Sequence, residues 1–248
     1  MNPFERHGID HLSPSSINAF AAEPALWVME RLLKKRSQIG AAAHRGSASE
    51  AGVAHGLLNP NATIEDCQAI ALREFDQRAA MSGDPKRDKE REVVAPIVAA
   101  AIPELRQYGI PDQVQRKVVA QIEGIPVPVL GFSDFEWTEH GIVLDLKTTL
   151  RLPSEISAAH GRQVSLYVRD GNREGRLCYV TPAKLAVYRL EDPQAHFAAL
   201  SNIAHRMMRL LAVSNDAQEI AGLVCPNLDS FMWSNPQTRA LCKETYGL

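Results

Sequence analysis

The chain has 248 residues, of which 45% are hydrophobic and 23% are charged, a composition typical of a globular protein and unlike that of disordered or collagen-like chains. Its 27 Lys and Arg residues are balanced by 29 Asp and Glu residues, which excludes a wholly basic nucleic-acid binder but not a local basic groove. No apolar run approaches the roughly 18 residues of a membrane span, and the first residues lack the apolar core of a secretory signal. We therefore expect a cytoplasmic protein that makes no contact with a membrane.

Helical spacing of apolar residues predicts four helices in the first 110 residues, at Ile17–Arg36, Gly46–Leu58, Thr63–Ala80 and about Arg91–Tyr108. Ser13, followed by a proline, is typical of the residue that precedes a helix, and Thr63 with Asp66 forms a weak capping pattern. The charged segment Ser82–Glu92 is interpreted as a solvated helix start or a mobile loop.

The periodicity then changes to that of β-strands, which are predicted at Val114–Ile122, Val127–Trp137, Ile142–Thr148, Arg176–Thr181 and Lys184–Leu190. The first three strands follow one another through short turns, which favours an antiparallel meander. Helices are predicted at Ile156–Arg169 and Pro193–Val213. The chain is thus predicted to form one α+β domain over residues 1–248, with a mostly helical part (1–110), a sheet core (111–190) and a helical tail (191–248).

Asp145 and Lys147 lie two residues apart in an otherwise apolar strand. Side chains alternate between the two faces of a strand, so these two should project together while Leu144 and Leu146 point the opposite way. An acid and a lysine inside a core-like strand are expensive to bury unless they are paired or bind a metal. This pattern therefore favours a functional site over a solvated strand face.

Asp134 lies eleven residues upstream of Asp145, in the preceding predicted strand. If the turn at Thr138–Gly141 folds the two strands against each other, the two carboxylates approach and repel one another. A hard divalent cation relieves such repulsion, and Mg²⁺ prefers oxygen ligands. A lysine beside them can orient a nucleophilic water or stabilise charge that develops on a phosphate.

Three segments, Gly131–Asp134, Asp145–Lys147 and Gln163–Tyr167, occur in an order that resembles the acidic, D/E-x-K and Q-x-x-x-Y motifs of the PD-(D/E)XK nuclease superfamily. The resemblance is specifically to its RecB-like and phage-exonuclease branch. Glu50, four residues after a glycine, is similar to the additional acid or histidine that these relatives carry on a helix. The segment Leu12–Phe20 is similar to the start of RecB-like nuclease domains.

The resemblance implies a restriction-endonuclease-like α+β fold, with a central mixed sheet of about five strands flanked by helices. It implies that Glu50, Asp134 and Asp145 hold Mg²⁺ or Mn²⁺, that Lys147 positions the attacking water, and that Gln163 orients Lys147 or the substrate. Tyr167 shares a helical face with Gln163 and is expected to meet the site or the nucleic acid. The four scattered cysteines do not match the iron–sulfur members of this branch, so no cluster is expected.

Several basic residues could line a track for DNA phosphates: Arg151 and Arg162 near the motifs, and Arg45 further upstream. As isolated charges, they are equally typical of ordinary surface. We assign Arg151 and Arg162 to substrate binding.

Histidines leave some alternatives open. His44 or His55 could replace Glu50 as the motif residue if the helical register differs by one turn, although a satisfied or solvent-facing histidine is the favoured interpretation of both. His160 precedes Gln163 by three residues and could face the same groove, but a surface position is favoured.

These observations predict a Mg²⁺-dependent DNA nuclease, most specifically an exonuclease of DNA recombination, repair or phage DNA processing, in a bacterial cell or a phage-infected host. DNA is the expected partner, and a homo-oligomer or a recombination protein is a further candidate partner. Two alternatives remain: a structure- or sequence-specific endonuclease on the same fold, and a nucleic-acid-binding module that no longer cleaves. The intact set of Asp134, Asp145 and Lys147 argues against the second alternative.

Overall fold

The computed structural model describes residues 1–36, 38–169 and 173–248. Backbone contacts divide the chain into two compact units. Unit 1 comprises residues 1–37, 118–131 and 194–248, and unit 2 comprises residues 38–117 and 132–193. Because this division does not show whether either unit folds alone, the single domain over residues 1–248 stays a prediction.

Helices α1 to α11 of the described residues lie, in chain order, at Pro3–Arg6, Pro14–Ala22, Pro24–Arg31, Ala41–Leu58, Ile64–Arg78, Arg87–Glu92, Val94–Leu105, Ala158–Tyr167, Pro193–Ala212, Ala217–Ala221 and Pro236–Tyr246. None of these helices is long and apolar enough to cross a membrane. Strands β1 to β5 lie at Gln113–Ala120, Val129–Trp137, Ile142–Thr148, Glu174–Val180 and Leu185–Arg189.

In unit 1, the prediction of one helix over Ile17–Arg36 is wrong, because α2 and α3 are separate helices. Ser13 caps α2 by accepting a hydrogen bond from the backbone of Ser16. Glu23 then takes an extended conformation, and Pro24 begins α3 at a position where its missing N–H is not needed. The residue before a proline avoids helical geometry, so Pro24 ends the first helix.

In unit 2, α4 begins at Ala41 rather than at the predicted Gly46, because a distant carboxylate caps it. Asp84 Oδ2 accepts a hydrogen bond from the Ala41 N–H at 2.8 Å, and Oδ1 accepts one from the Lys86 N–H at 2.9 Å. These backbone donors lower the pKa of Asp84. Part of the segment that was predicted to be a solvated start or mobile loop thus anchors two neighbouring helices.

The strands form one mixed sheet in the order β1-β2-β3-β4-β5, and helices flank it. The fold is therefore the predicted restriction-endonuclease-like α+β fold. Strands β2 and β3 are antiparallel, with Phe135 opposite Leu144, which confirms the predicted hairpin. Strands β3 and β4 are parallel, with Asp145 opposite Leu177, and β4 and β5 are antiparallel. Because a parallel pair needs a crossover connection, α8 lies between β3 and β4 in the chain.

The two faces of the sheet in unit 2 carry different side chains. One face is apolar and packs on α4 and α7 through a single buried cluster, which includes Val53, Leu57, Ile97, Ala101, Phe135, Leu144, Leu146 and Cys178. Helix α8 approaches the other face, where a Cβ atom on Gly175 would lie 2.6 Å from Val164. Since side chains alternate, Asp145 and Lys147 share the face of Gly175 and α8.

Candidate active site

Asp145 and Lys147 project together from β3, as predicted. The Asp145 side chain is completely buried. Its Oδ1 accepts a hydrogen bond from Gln163 Nε2 at 3.1 Å, and its Oδ2 lies 2.6 Å from Lys147 Nζ. Both oxygens of the buried carboxylate therefore contact a polar group of the chain, Oδ1 an amide and Oδ2 an ammonium group.

Asp134 lies on β2 beside Asp145, because the hairpin register that places Phe135 opposite Leu144 brings the preceding residue of β2 next to it. Its Oδ2 accepts a hydrogen bond from the Leu146 N–H at 2.7 Å. Burial, and then the charges of Asp145 and Glu50, raise the pKa of Asp134 well above its usual value. The sequence-based expectation that these two carboxylates approach each other is confirmed.

Glu50 reaches the same cluster from α4. Burial, and then the negative charge of Asp145, raise its pKa, while the charge of Lys147 acts in the opposite direction. Two glycines allow α4, the helix that carries Glu50, to pack tightly on α5 and α7. A Cβ atom on Gly52 would lie 2.7 Å from the carbonyl oxygen of Cys67, and one on Gly56 would lie 2.8 Å from Ile102.

Arg45 fixes α4 to the end of β3, one residue beyond Lys147. Its Nε and Nη2 donate to the hydroxyl and carbonyl oxygens of Thr148, both at 3.2 Å. Its Nη1 pairs with Glu90, and both side chains are buried. The interpretation of Arg45 as a surface residue that could line a DNA track is therefore wrong, as is the interpretation of Glu90 as part of a solvated segment.

Gln115 is a site residue that the sequence did not indicate. Its Nε2 donates to Glu50 Oε1 and, at 3.0 Å, to Asp134 Oδ1, so one exposed amide bridges two carboxylates. Gln115 also has a φ of +52° in the middle of β1, a conformation that is uncommon for a residue other than glycine. Strain of this kind persists where the surroundings impose it, and functional sites are where it clusters.

Lys147 is the cation that faces the three carboxylates. Burial alone would lower its pKa, but the charges of Asp145 and Asp134 outweigh burial, and the pKa is raised. The ammonium group therefore stays protonated at neutral pH and acts as a hydrogen-bond donor and a positive charge, rather than as a base.

Gln163 and Tyr167 are adjacent, as their spacing on a helix predicted. Gln163 Nε2 donates to Tyr167 Oη at 2.9 Å as well as to Asp145. Tyr167 is buried, and burial, followed by the charge of Asp145, raises its pKa. The geometry therefore connects Gln163 to Asp145, whereas the expectation placed it against Lys147 or the substrate.

The two arginines assigned to substrate binding lie outside this cluster of contacts. Arg151 is exposed in the loop after β3, and its backbone N–H donates to Thr149 Oγ1 at 3.3 Å. Arg162 is partly buried on α8, and this burial lowers its pKa. Their roles toward DNA stay predictions.

The three histidines considered as site residues differ in their positions. His55 lies 3.4 Å from Asn59, and His44 acts electrostatically on Asp84, so the acid cluster receives Glu50 from α4 rather than a histidine. His160, in contrast, is partly buried, and its Nδ1 lies 2.7 Å from Tyr179 Oη. His160 is therefore half-buried against β4 rather than fully exposed.

The chemistry of this donor set fits a hard divalent cation. Three carboxylates (Glu50, Asp134 and Asp145) face one ammonium group, and their mutual repulsion contributes to the raised pKa of two of them. Among the described residues, no three His, Cys, Asp or Glu side chains are gathered at metal-binding spacing. The amide of Gln115 lies between two of the carboxylates. The three carboxylates are oxygen ligands of the kind that Mg²⁺ prefers. A hydrogen bond from Gln115 holds Asp134, and an ion pair with Lys147 holds Asp145.

Comparison with known proteins agrees with the chemistry of this cluster. The family model of the PD-(D/E)XK nuclease superfamily matches residues 11–231, which include every residue of the cluster described above. One solved structure, described as the crystal structure of SSO0001, is 16% identical and covers 82% of this chain and 94% of that chain, with a TM-score of 0.39. A likeness at that TM-score carries no argument about function. Among curated proteins, none matches the chain at a significant level.

Proposed function

The chain belongs to the PD-(D/E)XK nuclease superfamily, and we propose that it is a Mg²⁺- or Mn²⁺-dependent exonuclease that hydrolyses phosphodiester bonds in DNA. Membership implies a phosphodiesterase that acts on DNA. The observation that carries the proposal is the pair of buried carboxylates, Asp134 and Asp145, beside the half-buried Lys147, a cluster that Glu50 joins from α4. Like charges brought together inside a protein destabilise it, so a cluster of this kind is expected where chemistry requires it.

Glu50, Asp134 and Asp145 are the residues that would hold the divalent cation. A bound cation of this kind activates water for attack and neutralises charge on the phosphate. Because the carboxylates come from α4, β2 and β3, packing of the helix on the sheet determines whether the three converge. Arg45, which ties α4 to the end of β3, therefore supports the site without touching it.

Lys147 supplies the positive charge that acts on the reacting phosphate. Because it stays protonated, it can donate hydrogen bonds to the attacking water or to a phosphate oxygen, where negative charge increases in the transition state. Gln163 holds Oδ1 of Asp145 and so limits rotation of that carboxylate. The raised pKa of Lys147 argues against a role as general base.

The exonuclease assignment rests on the segment Gln163–Tyr167, which resembles the Q-x-x-x-Y motif of RecB-like and phage exonucleases. It is supported by the hydrogen bonds of Gln163, which connect this motif to Asp145. We extend the proposal to DNA recombination, repair or phage DNA processing in the cytoplasm, the setting in which such enzymes act.

The proposal is tested with end-labelled linear DNA and covalently closed circular DNA, each incubated with Mg²⁺, Mn²⁺ or EDTA. We expect metal-dependent loss of the linear DNA alone. Lys147→Ala and Asp145→Asn should abolish the activity without unfolding the protein. Lys184→Ala, which removes a lysine from the exposed turn between β4 and β5, should leave it unchanged.

Each other outcome has a definite meaning. Cutting of the circular DNA would replace the exonuclease by an endonuclease. Full activity in Lys147→Ala or Asp145→Asn would remove the site assignment. No cleavage by the native protein, together with no Mg²⁺ binding by calorimetry, would leave a nucleic-acid-binding module.

A further inference from the structure

His160 lies one helical turn before Gln163, on the face of α8 that meets the sheet. It contacts Tyr179, whose backbone is the register partner of Lys147 across β3 and β4. The two rings have centroids 5.5 Å apart, and His160 Nδ1 lies 2.7 Å from Tyr179 Oη. His160 therefore stands beside Lys147 on the face of the sheet that carries Asp145.

The contact with Tyr179 engages one ring nitrogen of His160 and leaves the other for a ligand. Nδ1 lies 2.7 Å from Tyr179 Oη, and the backbone N–H of His160 donates to Ser157 Oγ at 3.2 Å. A phosphate oxygen only accepts hydrogen bonds, so it selects the tautomer in which Tyr179 Oη donates to Nδ1 and Nε2 bears the hydrogen.

The charge state of His160 follows from its surroundings. Burial, and then the positive charge of Lys147, lower its pKa, while the charge of Asp145 acts in the opposite direction. The ring is therefore neutral at pH 7 and is a donor rather than an acid. Within the described part of the chain, its hydrogen bonds use the backbone N–H and Nδ1, and Nε2 is not among the buried polar atoms that lack a partner. Nε2–H thus faces solvent.

We propose that His160 is a second substrate-contacting residue of the active site, whose Nε2–H donates a hydrogen bond to a phosphate oxygen of the DNA strand held beside Lys147. The proposal rests on the proposed nuclease function. Tyr179 is a positioning residue, because its contact with Nδ1 fixes the orientation of the ring. A neutral N–H donor next to an ammonium group suits a phosphate with two unesterified oxygens, since the two donors can bind different oxygens without repelling each other.

The test compares His160→Ala, His160→Gln and Tyr179→Phe with the native protein. The side-chain amide of glutamine can place an N–H donor near the position of Nε2. A hydrogen bond to a charged group contributes about 1.5–3 kcal/mol. We therefore expect His160→Ala to lose roughly ten- to hundredfold in kcat/KM, His160→Gln to retain most of it, and Tyr179→Phe to fall between them. His140→Ala, in the exposed turn before β3, is the matched control and should be unchanged.

DNA binding in EDTA, measured by fluorescence anisotropy, separates this proposal from the nuclease function because no cleavage is needed. A series of oligonucleotides, each with one phosphate replaced by a neutral methylphosphonate, identifies the contact. We expect one position at which the replacement weakens binding to the native protein but not to His160→Ala.

Failure takes a different form for each proposal. A native protein that binds DNA through His160 but does not cleave it would contradict only the nuclease function. Activity and binding of His160→Ala within twofold of native, in a protein that cleaves, would overturn the role of His160. If His160→Ala does not fold, the other two variants decide the question. The role of His160 would be overturned if His160→Gln and Tyr179→Phe were equally active and if no single methylphosphonate weakened DNA binding by the native protein.

Discussion

Replacing Arg45 by methionine should lower the free energy of unfolding by about 3–5 kcal/mol, because Glu90 would be left buried and unpaired. The side chains of Arg45 and Glu90 are only 8% and 9% exposed. Arg45 also donates two hydrogen bonds to Thr148, and these would be lost in the same variant. Since the same contacts hold α4 against the end of β3, DNA cleavage should fall together with stability.

The double variant Arg45→Met/Glu90→Leu separates the two contributions. Removal of both charges should restore most of the lost stability, because a well-packed apolar pair can replace a buried ion pair at little cost. A deficit of about 1–3 kcal/mol should remain, because the carbonyl oxygen of Thr148 loses its donor. Arg78→Met breaks an exposed pair with Glu74 on α5 and should change stability by less than about 0.5 kcal/mol.

Urea denaturation followed by tryptophan fluorescence measures all three variants, and the midpoint together with the slope gives the free energy. A loss below about 1 kcal/mol in Arg45→Met would refute the reasoning, because a buried carboxylate cannot lose its partner so cheaply. Equal losses in the single and double variants would show that the bonds to Thr148, rather than the ion pair, carry the effect.

Three further predictions concern the packing of α4 and the charges of the site. Gly52→Ala should destabilise the protein by about 1–3 kcal/mol in thermal denaturation, because its Cβ would clash with neighbouring backbone. Gly46→Ala, in the same helix, would place its Cβ 3.7 Å from Thr148 Oγ1, an ordinary van der Waals contact. It should instead stabilise by about 0.5–1 kcal/mol, and equal effects would contradict the packing argument. In EDTA, stability should fall as the pH rises from about 4 through the raised pKa values of Asp134 and Glu50, because the folded state binds more protons than the unfolded state in that range. Urea titrations of Asp134→Asn should show a weaker fall, and a fall of the same size would contradict the assignment. Gln115→Leu should destabilise the EDTA-treated protein by about 1–3 kcal/mol, and Mn²⁺ should reduce this difference; a difference independent of Mn²⁺ would mean that the amide does not act on the metal ligands.

The parts of the site that the sequence predicted are those that depend on short-range geometry. Alternation along one strand placed Asp145 and Lys147 on a common face, and a four-residue turn brought Asp134 beside them. Glu50 and Gln163 came from the resemblance to a family. Glu50 lies more than 80 residues before Asp134 and Asp145, and Gln163 lies 18 residues after the second of these. Nothing local indicates which strand a helix residue will contact.

The parts that the sequence did not predict depend on contacts between distant segments. Asp84 caps a helix that begins more than 40 residues earlier, and Arg45 pairs with Glu90 across a similar separation. Each of these charges lies in a stretch that looks like ordinary surface. The contact of His160 with Tyr179 was not predicted for the same reason, because Tyr179 belongs to the next strand.

The positive φ of Gln115 and the repulsion among the carboxylates both occur where the Gln115 amide contacts Glu50 and Asp134. A strand residue takes an uncommon conformation while its amide holds Glu50 and Asp134. The charge of Glu50 raises the pKa of Asp134, and the charge of Asp145 raises the pKa of Glu50. Neither feature stabilises the fold, and hydrogen bonds of Gln115 offset only part of the repulsion, because an amide carries no net charge. A divalent cation would supply the missing charge. The stability of the fold is therefore expected to depend on metal at this cluster more than anywhere else in the described chain, and metal-dependent protection against unfolding should be lost when Asp134 is replaced by asparagine.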